Sequence, residues 1–316
     1  MPKIKSQKTQ TPVITKPSLE RKLKIGIALG SGGAKGLAHI GVLKVLKKYG
    51  IELDMIAGTS MGAVIGAAYA TGMPVEEIEA LARRFFSSSS VFSVHNFHFF
   101  QESLIRPDDI KKSFYAFVGE KRFEDCKIKF VSVGIDLESG QEILLSKGKL
   151  LDSIEASSAY PGVFPPVFVD GHYMVDGGLL NPTPVNYLRE ENMDVIVGVH
   201  LSNLSTKQFI SGMVFDKYYK KPEGMLKKHG VLERARLNMT LMIQVLMRSV
   251  EVAQKLNSKI VFLSSHPDLI VKPYTEDIGA FQFERIEEAI KSGEDAMEKE
   301  MPNLLQIIEM KKKDVI

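Results

Sequence analysis

Gly58-Thr59-Ser60-Met61-Gly62 decides how this chain is read. The pentapeptide has the form G-x-S-x-G. A short apolar run, Met55-Ile56-Ala57, precedes it. Ala63-Val64-Ile65-Gly66-Ala67-Ala68-Tyr69-Ala70 follows, rich in small residues and readable as a helix. Strand, sharp turn and helix in that order are what a nucleophile elbow requires. Gly58 and Gly62 leave room for the turn and for close strand–helix packing. The Ser60 hydroxyl then projects at a helix N-terminus, where the dipole favours developing negative charge. The plain alternative is a tight turn whose serine caps the helix.

Outward from this turn, strand and helix patterns alternate. Residues 24–29 form an apolar strand pattern, and a glycine cluster fills 30–36. Leu37, Ile40, Leu43, Val45 and Leu46 mark one face of a helix over 37–49. Further strands are predicted at 55–57, 130–136, 141–145, 173–175, 195–201 and 260–263, with helices between most of them. The alternation predicts an α/β domain over 23–265 with a mainly parallel central sheet. Within it, 202–230 is Lys-rich, interrupted by Pro222 and Gly224, and reads as a loop or insertion. A helix over 231–257 carries Leu232, Ala235, Met239, Met242, Leu246, Val250, Ala253 and Leu256 at three- and four-residue steps, a stripe expected in the core. Residues 266–316 read as a C-terminal helical extension packed on the same domain.

Composition narrows the function classes. The 316 residues are 44% hydrophobic, enough for a sizeable core. With 41 basic against 38 acidic residues the net charge is +3, which argues against a dedicated nucleic-acid binder. The charge is uneven. Residues 1–24 carry seven Lys or Arg and one Glu, and 205–230 carry six Lys and two acids, patches suited to an anionic membrane surface. Residues 1–22 are polar, contain three prolines and no apolar core, and read as a disordered basic lead-in rather than a signal peptide. No stretch approaches 18 uninterrupted apolar residues. Cys126 is the single cysteine, in no metal or redox pattern. These features fit a cytoplasmic protein with at most a peripheral contact at the inner face of the membrane.

A serine that attacks an ester needs a base, oxyanion donors and an acyl pocket. Gly30-Ser31-Gly32-Gly33-Ala34-Lys35-Gly36 supplies a backbone bend able to aim successive N–H groups into one space. A nucleotide-binding reading of this loop competes, but position 35 is lysine where G-x-G-x-x-G needs glycine, and Gly36 follows the lysine where a P-loop needs it before. Asp176, in Val175-Asp176-Gly177-Gly178, is the candidate base, with a turn aspartate as the bland reading. A histidine base would come from His200, His229 or His266, of which His200 follows the best strand pattern; His39 reads as a packed or hydrogen-bonded helix residue. Six phenylalanines between 85 and 100, among them Phe97, Phe99 and Phe100, suggest a lid or acyl pocket, or else an irregular packed segment.

Four blocks in order resemble the patatin-like phospholipase family. Ser31-Gly32-Gly33-Ala34-Lys35-Gly36-Leu37-Ala38-His39-Ile40-Gly41-Val42-Leu43 is similar to its glycine-rich block, and Gly58–Gly62 to its elbow. Ala156-Ser157-Ser158-Ala159-Tyr160-Pro161-Gly162-Val163-Phe164-Pro165-Pro166 resembles its proline-bearing block, and Asp176-Gly177-Gly178 its D-G-[GA] motif. The chain closely resembles the compact bacterial branch related to neuropathy target esterase. Ser31 and Lys35 depart from the Gly and Arg common in the first block. The resemblance implies a three-layer α/β/α fold and a serine lipid acyl hydrolase acting on phospholipid or lysophospholipid. It implies Ser60 as nucleophile and Asp176 as base without histidine. The amides of Gly32, Gly33 and Ala34 would form the oxyanion hole, with Lys35, Gly36, Gly58, Gly62, Gly177 and Gly178 as supporting motif residues. No metal or organic cofactor is implied. A catalytically silent lipid-binding regulator is the alternative from another class.

Overall fold

The computed structural model describes residues 22–86, 107–201 and 231–315. Eight strands form one sheet: β1 (Ile25–Leu29), β2 (Met55–Gly58), β3 (Lys129–Asp136), β4 (Glu142–Leu145), β5 (Val167–Val169), β6 (His172–Asp176), β7 (Val195–Val199) and β8 (Leu269–Val271). Their order is β5-β6-β3-β2-β1-β7-β8, with β4 paired to β3. From β3 to β8 the neighbours are parallel, while β4, β5 and β6 join antiparallel. β1 lies at the centre and is buried along its whole length, as a strand covered on both faces must be. Its period of two divides it between two cores. Ile25, Ile27 and Leu29 enter the larger one and Ala28 the smaller.

The helices are α1 (Ala38–Lys48), α2 (Met61–Ala70), α3 (Val75–Phe86), α4 (Pro107–Val118), α5 (Leu150–Ser157), α6 (Val185–Glu190), α7 (Val231–Ser265) and α8 (Ile286–Val315). Side chains of α1 to α5 and α8 fill the larger core, whereas Val185 and Leu188 of α6, with Val261 and Phe262 of α7, close the smaller one. This is the three-layer α/β/α arrangement expected.

Three expectations need correction. Residues 260–263 are not a strand but part of α7, which runs unbroken by Gly or Pro from Val231 and stops before Pro267. The eighth strand is instead β8, so the chain beyond 265 contributes to the sheet as well as a helix. The stripe on α7 is not uniformly core: Val250 is buried, but Leu246, Ala253 and Leu256 are exposed. The inward side of the helix carries Gln254 and Ser258 instead. Residues 1–21, Phe97, Phe99 and Phe100, the loop 202–230 and His229 lie outside the described residues.

The C-terminal helix is held at close quarters. A Cβ on Gly293 of α8 would lie 1.9 Å from the Ala38 carbonyl oxygen, and one on Gly41 of α1 would lie 2.0 Å from that of Ile290. Two glycines thus let the backbones of α1 and α8 touch. Lys44–Glu294 and Lys48–Glu298 ion pairs flank the contact at 2.5 and 2.6 Å, and being partly solvated they add little. Gly293→Leu should push the helices apart and lower stability by more than about 2 kcal/mol, read as a shifted denaturant midpoint. An unchanged midpoint would show that α8 is not part of the cooperative fold.

Candidate active site

The glycine loop after β1 and the turn after β2 meet at the carboxyl edge of the parallel strands, where α/β sheets place their sites. Ser60 sits between β2 and α2 with φ 56° and ψ −126°, a conformation few non-glycine residues adopt. Such backbone strain costs on the order of 1–3 kcal/mol and persists only where neighbours enforce it. They do so here. The Thr59 N–H donates to the Leu29 carbonyl at 3.1 Å, and the Thr59 hydroxyl donates to the Asn181 carbonyl at 3.0 Å. The Ser60 N–H donates to Ser157 Oγ at 3.0 Å, and the Ser157 hydroxyl donates to the Val133 carbonyl at 2.7 Å. Gly62 packs against β1 so closely that a Cβ would meet the Leu29 oxygen at 2.0 Å. The Ser60 side chain makes no capping bond to α2, so the plain helix-cap reading of this serine has no contact behind it.

Asp176 ends β6, opposite Gly134 of β3. Only 1% of it is exposed. Its Oδ1 accepts the Gly178 N–H at 2.7 Å, the contact a turn aspartate makes. Its Oδ2 is buried and has no hydrogen-bond partner among the described residues. Burial pushes the carboxyl up from 3.8 to about 6, against the smaller opposing pull of the Ser60 hydroxyl and the Gly178 N–H. The Ser60 hydroxyl is therefore near enough to favour the ionised carboxylate, although no aligned hydrogen bond reaches Oδ2. A Cβ on Gly178 would stand 2.9 Å from both Asp176 Oδ1 and Gln254 Nε2, so this glycine keeps the carboxylate uncrowded.

Most amides of the glycine loop are already engaged. Gly30 donates to Val199, Ser31 to Pro182, Ala34 to Ala280 and Lys35 to Gly32, at 3.1, 2.7, 2.8 and 3.2 Å. Among the described residues no acceptor takes the N–H of Gly32 or Gly33. Of the three amides the sequence nominated, Ala34 is thus occupied by a carbonyl from the C-terminal segment. Gly30 is anchored from behind by His39, whose Nε2–H donates to its carbonyl at 2.7 Å. Burial drives the His39 imidazole down to about 4, so the ring is neutral and serves the loop as a fixed donor. His200 is buried beside Thr183 Oγ1 at 3.2 Å with its ring edge-on to Phe262, and His266 is exposed at the end of α7; neither lines the Ser60 pocket.

That pocket has about 840 Å³ of empty space, its open mouth included. Ser31, Gly32, Gly33, Lys35 and Ser60 form its polar floor, and Phe114, Tyr160, Phe164, Phe281 and Phe283 supply apolar walls. Tyr160 and Phe281 meet edge to face at 6.5 Å. Burial disfavours the charge on Lys35, which makes no ion pair with any described residue. Ser158 also lines the pocket, and its Oγ is buried without a partner among the described residues. Ser157, Gln254, Ala280 and the aromatic walls were not singled out for the site from sequence. Ser157 and Tyr160 lie within a quoted block, but nothing local marks which member reaches Ser60.

Ser157 links the elbow to β3 across 97 positions of sequence. Ser157→Ala removes the acceptor of the Ser60 N–H in a buried place. It should cost about 1–3 kcal/mol of stability and lower turnover while leaving the Ser60 hydroxyl present. Wild-type stability and turnover in this variant would show that the elbow does not depend on the bridge.

A family model for patatin-like phospholipases matches residues 27–189, which contain the glycine loop, the elbow and Asp176. An uncharacterised NTE family protein of Mycobacterium tuberculosis is 34% identical over 179 residues, 57% of this chain and 49% of its own. A second one from the same organism is 28% identical over 273 residues, 85% of this chain and 45% of its own. A protein of Candida albicans named lysophospholipase NTE1 is 29% identical over 187 residues, 58% of this chain and 13% of its own. The chain therefore spans about half the length of the mycobacterial relatives. With the model covering more than half of its residues, the chain belongs to the patatin-like phospholipase family.

Proposed function

We propose that the protein is a serine hydrolase of lipid fatty-acyl esters, with phospholipid or lysophospholipid as substrate, working through Ser60 and Asp176 without histidine. The observation that carries this reading is the buried Asp176 carboxyl, raised to about 6 and felt by the hydroxyl of a serine held at φ 56°. Asp176 takes the proton from Ser60 Oγ as the oxygen attacks the ester carbonyl. Gly32 and Gly33 are the amides free to receive the oxyanion, and losing one such donor typically costs about 3 kcal/mol of barrier. The alcohol leaves with the proton from Asp176, and a water deprotonated by the same carboxylate releases the fatty acid. The aromatic walls suit an acyl chain. The Ser158 hydroxyl, without a partner among the described residues, is available to the ester or the water. With four loop amides already bonded, residues 30–36 offer little to a nucleotide phosphate, so that reading recedes. The name of the Candida relative favours a lysophospholipid among the possible substrates.

Ser60→Ala and Asp176→Asn should each reduce fatty-acid release from lysophosphatidylcholine by at least about a thousandfold with the fold intact. Full activity in either variant would remove that residue from the chemistry, and no release by the wild type from any acyl lipid would favour a silent binding protein. If Asp176 acts as the ionised base, kcat/KM rises with pH to a plateau, with a midpoint near the carboxyl's value of about 6. A flat profile between pH 5 and 8 would contradict that role.

The same burial predicts a stability cost. The folded state binds this proton more tightly than the unfolded chain, whose value is near 3.8. Stability from this group is therefore greatest below about pH 4, falls as pH rises toward 6, and levels off above. Asp176→Asn escapes the penalty and should be more stable than wild type at pH 7 by on the order of 3 kcal/mol, the gap closing at pH 4. Equal or lower stability of the variant at pH 7 would mean that the carboxylate is better compensated than its surroundings suggest.

A further inference from the structure

The exposed face of α7 is unlike a solvated helix surface. Val245, Val252, Leu256, Ile260 and Leu263 are 45%, 54%, 60%, 55% and 73% exposed. At about 3.6 residues per turn they fall within an arc of about 80° and form a straight apolar row about 27 Å long. Ser249, in the same arc, is small and exposed. Lys255 and Lys259 flank the row, both exposed, and neither makes an ion pair with a described residue. From Val252 to Ser265 the helix contains no Asp or Glu. Glu251 lies one turn before Lys255, further round the same flank and away from the row, and is paired with Arg248 at 2.9 Å. The side away from the row faces the site, because Glu251 and Gln254 line the Ser60 pocket.

We infer that this face of α7 docks the protein on an anionic lipid surface. A long apolar row with cations along one flank, its one nearby acid already paired with Arg248, is the composition of a helix lying in the headgroup region. Charge selects the lipid over a second copy. Packed antiparallel, two such helices would bring Lys255 and Lys259 of both to one side of the contact, and packed parallel each pair would face Ala253, Asn257 and Ser264, so neither arrangement sets a carboxylate against them, whereas anionic headgroups neutralise them. The helix is about 10 Å thick, so docking brings the pocket on its inner side within one helix diameter of the headgroups. The purpose of the contact rests on the proposed hydrolase reading; the contact itself does not.

Co-sedimentation of the chain with vesicles tests this. Wild type should bind vesicles of equimolar phosphatidylcholine and phosphatidylglycerol more tightly than vesicles of phosphatidylcholine alone. The double variant Leu256→Ser with Leu263→Ser should bind the mixed vesicles at least tenfold more weakly. Lys255→Gln with Lys259→Gln should bind the mixed vesicles more weakly than wild type and with a shallower dependence on salt, the basic stretches 1–24 and 205–230 being unchanged. Both double variants should hydrolyse a short, soluble ester at the wild-type rate, since none of the four residues lines the pocket. Undiminished vesicle binding by the Leu variant would overturn the inference. So would a wild-type dimer that the same variant converts to monomer in sedimentation velocity, which would make the row an interface between copies. Failure of the hydrolase reading is separate, because wild type would then leave the soluble ester intact whatever its vesicle binding.

Discussion

A carboxylate is carried into the interior at Asp176 with no cation among the described residues to meet it. One oxygen is answered by the Gly178 N–H, and the other has no hydrogen-bond partner among the described residues. Leaving such a group uncompensated is costly, and proteins rarely do so away from a functional site. Much of the surrounding architecture can be understood as holding this one arrangement. β3 aligns Asp176 through Gly134 and, through the Val133 carbonyl and Ser157, also fixes the backbone of Ser60. Asp176 and Ser60 are thus registered against the same strand. That is how two side chains 116 positions apart are held in place without a direct bond setting their geometry.

The glycine loop is fixed with comparable economy. His39 grips Gly30 from α1, β7 and the segment after β6 take the first two amides, and the C-terminal segment takes Ala34. Gly32 and Gly33, both lining the pocket, have no acceptor for their N–H groups among the described residues. The C-terminal chain is consequently part of the site as well as of the fold. It supplies an edge strand, packs α8 on α1 through Gly41 and Gly293, and contributes Ala280, Phe281 and Phe283 beside Ser60.

What could be read from sequence divides along the range of the interactions. The elbow, the glycine loop and the D-G-G turn are local, since each needs particular residues within a few positions, and each was legible. The sheet followed from apolar runs alternating with helical patterns. The Ser60–Ser157 bridge and the Ala34–Ala280 bond were not legible, because they join distant segments through atoms that serine and the backbone offer everywhere. Periodicity failed in an instructive way on α7. The spacing of Val250, Leu256 and their neighbours marks helical faces but does not say which one meets the core. The inward side instead takes polar Gln254 and Glu251, because it borders a pocket. Ile260-Val261-Phe262-Leu263 has strand propensity, yet it continues a helix that nothing stops before Pro267.

Peptide mapping after reaction with a fluorophosphonate tests the central claim most directly, because the reagent needs an activated serine but no natural substrate. The account predicts a single adduct on Ser60 in the wild type and little or none in Asp176→Asn at the same exposure. An adduct on another serine, or equal labelling of Ser60 once Asp176 is neutral, would contradict a nucleophile activated by this buried carboxylate.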